Sequence, residues 1–100
     1  MKADLHNHSY FSDGFLSPRE VVRLAISSGC DLFSLTDHDT TDGISEAQIE
    51  AKKVGLKLIN GTEISALWKN MPIHIIGLGI DIDNDSLQSG LHHNRELRKE

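Results

Sequence analysis

Histidines and carboxylates recur in this chain at spacings that could assemble a cluster of metal ligands. His6 and His8 stand two residues apart behind a short run ending in Leu5. On a β-strand, positions i and i+2 share a face, so both imidazoles can enter one small volume. Asp13 follows within Ser12-Asp13-Gly14, a turn able to fold its carboxylate back toward that volume. His38, Glu63 and His74 complete the candidate set, each expected at or near a strand end. An isolated His-x-His is more often a chance pair than a site; the further ligand supplied by each later element argues against chance here. Four histidines and two carboxylates exceed what one tetrahedral zinc needs. Nitrogen and oxygen donors without cysteine suit Mn²⁺, Zn²⁺ or Fe²⁺ better than a structural thiolate site. Glu63, with two oxygens, is the candidate bridge between neighbouring ions. Two ions about 3.5–4 Å apart hold a hydroxide at neutral pH and stabilise an in-line phosphoryl displacement. The implied chemistry is metal-assisted hydrolysis of a phosphate ester. The simpler alternatives are that His38 and Asp39 cap a helix and that His74 is a hydrogen-bonded core histidine. His92 and His93 read as solvated helix residues, not as ligands.

The elements that must position these groups follow an α/β order. A first strand is expected over residues 2–6. Ser17-Pro18-Arg19-Glu20 combines an N-cap, a proline at the first helical position and a capping box. The helix it opens carries Val21, Leu24, Ala25 and Ser28 at helical spacing and stops at Gly29. A largely apolar strand over residues 31–36 suits a sheet covered on both faces. After the polar loop 37–43, Ile44, Ala47, Ala51 and Val54 mark the inner face of a second helix ended by Gly55. A third strand, 56–59, delivers Glu63 just beyond its end. Lys69-Asn70-Met71-Pro72 reads as a turn, followed by a strand over 73–80. A last helix, capped by Asp85 or Ser86, runs through Leu87, Leu91, Asn94 and Arg98 toward Glu100.

This order implies parallel crossovers. In barrels of parallel strands the active site lies at the strand C-termini, where most of the candidates fall. A full barrel takes about 200 residues or more, so the 100 residues here could supply only about half of one. Such a part leaves strand edges open to self-association.

Composition narrows the classes further. The net charge of −5 comes without a basic run before the last residues, which argues against non-specific nucleic-acid binding. Cys30 is the sole cysteine and reads as a small buried residue. No apolar stretch approaches the ~20 residues of a membrane span and no signal peptide precedes the first strand, so the chain is expected in the cytoplasm, without a membrane partner.

His6-x-His8 with Ser12-Asp13-Gly14, then Thr36-Asp37-His38-Asp39-Thr40, Gly61-Thr62-Glu63-Ile64-Ser65 and His74 together resemble the PHP (polymerase and histidinol phosphatase) superfamily over residues 2–80. The Thr-Asp-His-Asp-Thr form and the Glu63-to-His74 spacing look most like the branch of nucleoside 3′,5′-bisphosphate phosphatases and 5′-to-3′ exoribonucleases. The resemblance implies a distorted seven-stranded, TIM-like barrel and two or three divalent ions, manganese first. It implies metal ligands at His6, His8, Asp13, His38, Glu63 and His74, with Glu63, His8 and His38 in the catalytic roles. A phosphate-binding arginine is expected at Arg98, with Arg95 second. The family's later ligands would lie beyond residue 100, so the resemblance implies that residues 1–100 are an N-terminal part of the domain, incomplete at its C-terminus. The substrates implied are nucleoside 3′,5′-bisphosphates or the 5′ end of short RNA. Other readings are a metal-binding or proofreading module of a DNA polymerase, a histidinol phosphatase, and a non-catalytic metal-binding domain stabilised by its ions.

Overall fold

The computed structural model describes residues 1–98, Arg98 by its backbone alone. Its elements are β1 (Ala3–Asp4), α1 (Pro18–Ser27), β2 (Leu32–Phe33), α2 (Ile44–Val54), β3 (Lys57–Leu58), β4 (Gly61–Trp68), β5 (Met71–Leu78) and α3 (Asp85–Arg98). Helix α1 starts where the sequence places it. Ser17 Oγ accepts the Glu20 N–H and the Glu20 carboxylate accepts the Ser17 N–H, which closes the capping box. Helix α2 ends on Gly55 at φ 75°, a left-handed conformation that only glycine adopts without strain.

Strands β1, β2 and β3 form a parallel sheet in that order, with Ala3 opposite Leu32 and Phe33 opposite Leu58. Each crossover runs through a helix. Val21 and Val22 of α1, Ala47 and Ala51 of α2, and Cys30, Phe33, Leu35 and Leu56 close into one buried cluster. Burying one such large side chain contributes about 1.5–3 kcal/mol. The Arg23 guanidinium meets the buried Glu50 carboxylate at 2.9 Å and ties α1 to α2.

The differences from expectation have local causes. Leu24 is exposed and Val22 takes its place in the core. The ladders of the parallel sheet are two residues long, not four to six. Beyond Asp4 a hydroxyl helps to hold the two segments: the Thr36 N–H donates to Asn7 O at 2.7 Å, while the Asn7 N–H donates to Thr36 Oγ1 at 3.1 Å. Ser34 Oγ likewise donates to Ile59 O at 2.7 Å.

Glu63 follows the end of β3 as expected but already lies inside the next strand, β4. The expected four-residue turn is two residues, Lys69 and Asn70, at φ 50° and 65°. That is the left-handed pair of a tight hairpin, and it leaves Met71 and Pro72 in β5. Pro72 pairs with Leu67 next to the turn-closing pair Trp68–Met71, where a missing N–H costs no ladder bond. At the other end, Asn84 caps α3, since its Oδ1 accepts the Leu87 N–H at 2.8 Å. The expected caps Asp85 and Ser86 are inside the helix.

The junction that positions the site is a single parallel bridge. The Asp39 N–H donates to Glu63 O at 2.9 Å and the Glu63 N–H donates to Asp37 O at 3.0 Å. Strand β4 thus joins the chain leaving β2 at one point before turning away as the β4–β5 hairpin. Among the described residues, no helix is long and apolar enough to cross a membrane.

Candidate metal centre

Glu63 is almost fully buried, and its two oxygens face different histidines. Oε1 lies 2.5 Å from His6 Nε2 and 3.5 Å from His8 Nε2. Oε2 lies 2.7 Å from His38 Nδ1 and 3.1 Å from His74 Nδ1. His6 and His8 lie beyond the end of β1, outside any strand, so the alternation expected of a strand does not place them; both rings nonetheless reach one oxygen. His38 comes from the loop after β2. His74 is fourth in β5, opposite Ser65, and its side chain shares the hairpin face that carries Glu63. Asp13 joins from the first loop: its Oδ1 is 2.6 Å from His8 Nδ1 and its Oδ2 is 3.2 Å from His38 Nε2. Burial disfavours ionisation of Asp13, but the attraction of His8, its hydrogen bond and then His38 outweigh it, and the carboxyl lies below its usual range. Gly14 is required here, because a Cβ on it would stand 2.5 Å from the His8 carbonyl oxygen.

All six candidate ligands are therefore brought together, in three overlapping groups. These are His6, His8 and Glu63; His8, Asp13 and His38; and His38, Glu63 and His74, each with its donor atoms within 4.8 Å of one another. The donor set fits a hard or borderline divalent ion. One atom makes the fit specific. His8 Nε2 is buried without a hydrogen-bond partner. In the neutral ring, with Nδ1–H donating to Asp13, Nε2 carries a lone pair 3.5 Å from Glu63 Oε1. Two acceptors face to face repel unless a cation satisfies both.

The sequence reading missed the carboxyls that hold this arrangement. Asp37 is buried and accepts from the Ser9 N–H at 2.6 Å, Ser9 Oγ at 2.7 Å and Ser12 Oγ at 2.8 Å. It thereby braces the loop between His8 and Asp13. Asp39, taken at most as a helix cap, accepts from the Ser65 N–H at 2.9 Å, Ser65 Oγ at 2.7 Å and Asn94 Nδ2 at 2.9 Å. It thereby fixes β4 and α3 against His38, with its own backbone at φ 53°. Two aspartates flanking a candidate ligand were the available signal. Of the arginines, Arg95 donates from Nη1 to Asp39 O at 2.8 Å and lines a cavity with His38. The Arg98 side chain lies outside the described residues. His92 and His93 are exposed on α3.

An α/β chain that draws four imidazoles to one buried carboxylate, with a second carboxylate on two of those rings, has the donor set of a divalent-metal protein. Comparison with known proteins makes the class definite. The PHP domain model matches residues 4–95, and the chain belongs to the PHP domain family. A 5′-3′ exoribonuclease of Haemophilus influenzae is 47% identical over 98% of this chain and 36% of its own length. A 3′,5′-nucleoside bisphosphate phosphatase of Chromobacterium violaceum is 45% identical over 97% of this chain and 34% of its own. A Bifidobacterium adolescentis crystal structure, assigned by inference to the metal-dependent phosphoesterases, is 34% identical with a TM-score of 0.94, over 99% of this chain and 35% of its own. The chain thus spans about a third of the length of these relatives.

Proposed function

We propose that the chain carries the first ligand set of a metal-dependent phosphoesterase acting on nucleotide esters, either nucleoside 3′,5′-bisphosphates or the 5′ end of short RNA. The observation that carries the reading is the split of Glu63, with His6 and His8 on one oxygen and His38 and His74 on the other. The names of the H. influenzae and C. violaceum relatives support the choice of substrate. His6, His8, Asp13, His38, Glu63 and His74 would hold the ions, with manganese first among them. Bound divalent ions supply Lewis-acid polarisation of a phosphoryl oxygen and a water acidified enough to attack at neutral pH.

The protein's own groups do the positioning. Asp13 orients His8 and His38, Asp37 fixes the loop that carries Asp13, and Arg95, which lines a cavity with His38, joins the expected Arg98 as an arginine to pair with a substrate phosphoryl oxygen. We read the fold as the N-terminal portion of a distorted barrel, a reading supported by its match to one third of each larger relative. The test is phosphate release from nucleoside 3′,5′-bisphosphates with added Mn²⁺, on the longer protein containing this sequence and on residues 1–100. The longer protein turns over, Glu63→Gln lowers its kcat by orders of magnitude, and the 100-residue chain shows little activity. A metal-loaded longer protein inactive on every phosphate ester would favour the non-catalytic reading instead.

A further inference from the structure

We infer that Phe11 is a stacking face for a nucleobase, so that the centre prefers phosphate esters carrying a planar aromatic group. This rests on the phosphoesterase reading and assigns a residue to the base of its substrate. A cavity of about 210 Å³ beside the centre is lined by Phe11, Ser12, His38 and Arg95. His38 belongs to the ligand cluster and Arg95 is the cation, so a phosphoryl group belongs between those two. The organic part of the ester then meets the remaining walls. Ser12 has its hydroxyl committed to Asp37, which leaves the Phe11 ring as the wall able to make a new contact.

Phe11 is 43% exposed, yet it is held in place. Its backbone N–H donates to Ser9 Oγ at 3.2 Å, and Ser9 is itself clamped by Asp37. Its edge packs over Gly43, where a Cβ would stand 3.1 Å from Phe11 Cδ2. The Tyr10 ring meets it edge-on, with centroids 5.2 Å apart and planes at 73°. An exposed aromatic face fixed beside a phosphate-sized cation site offers a base a stacking partner that loses little entropy on binding. Base–aromatic stacking is worth roughly tenfold in affinity and tolerates any base.

The experiment titrates the Mn²⁺-loaded chain with adenosine 5′-phosphate, ribose 5-phosphate and inorganic phosphate by isothermal calorimetry. Adenosine 5′-phosphate is expected to bind about tenfold tighter than ribose 5-phosphate. Phe11→Ala and Phe11→Leu, the latter retaining apolar bulk without a π-face, bring that ratio near one and leave the affinity for ribose 5-phosphate in place. Phe11→Tyr keeps the ratio. A ratio near one in the unaltered chain, or one that survives Phe11→Ala, overturns the inference and leaves the phosphoesterase reading standing. Binding of Mn²⁺ with no binding of any of the three phosphates overturns the inference, whereas the phosphoesterase reading stands or falls on phosphate release by the longer protein.

Discussion

Between the sheet and helices α1 and α2 the chain buries Val22, Phe33, Leu35 and Ala47; at the strand ends it buries Ser9, Thr36, Asp37, Asp39 and Glu63 to the same depth. The two regions reach that depth by different means. The apolar layer gains from area removed from water, a non-directional term that tolerates small shifts. The polar layer gains little net from burial and persists because nearly every group has a named partner. The consequence is a division of labour: the apolar layer sets stability, and the polar layer sets where the histidines stand.

The largest effect should come from the apolar layer. Phe33→Ala empties a fully buried position and is expected to cost about 3–5 kcal/mol, read as a lower urea midpoint. Next comes the polar layer. Asp37→Asn keeps the volume but turns an amide NH₂ toward the donors of Ser9 and Ser12. The expected cost is about 1–3 kcal/mol, accompanied by weaker Mn²⁺ binding. An unchanged metal affinity in a destabilised Asp37→Asn chain would break the proposed division of labour.

The hairpin sharpens the contrast from a third side. Among the described residues β5 has no partner on its outer edge, and Leu67, Trp68, Met71 and Ile75 are exposed around it. We expect the 100-residue chain to self-associate there. Ile75→Lys, which places a charge on the edge strand, should shift sedimentation toward monomer while altering stability by no more than ~0.5 kcal/mol. The smallest effect is at the α1 cap. The Ser17 backbone N–H, then its side chain, hold the Glu20 carboxyl below its usual range. A depressed folded pKa gives stability that is present above the unfolded value and lost as pH falls through the folded one. The melting-temperature gap between the unaltered chain and Glu20→Ala should therefore close on acidification below the ordinary carboxylate range.

What the sequence disclosed follows the same boundary. The α1 capping box was legible because all its partners lie within four residues, and the Gly55 stop was legible for the same reason. The six candidate ligands were legible because few other chemistries need those residue types in that pattern, although Glu63 and His74 lie inside β4 and β5 and not at strand ends. Asp37 and Asp39 were not, since a polar run reads as solvated and their partners Ser9 and Ser65 lie 28 and 26 residues away. Strand lengths were overestimated because apolar character marks burial, whereas a ladder ends where the Thr36 and Ser34 hydroxyls take over the bonding. Asn70 announced a tight turn, but nothing about Lys69 announces a left-handed backbone. Arg95 reaches the centre only because Asn94 docks α3 on Asp39 and Ser65.

The central claim is that these histidines converge with Glu63 in order to hold divalent ions. It is tested most directly by calorimetric titration of Mn²⁺ into the unaltered chain and into the His6→Ala, His8→Ala double variant, with circular dichroism confirming that both are folded. The account predicts saturable binding by the unaltered chain and its loss in the double variant. Equal metal bound per folded chain in the two proteins would contradict it.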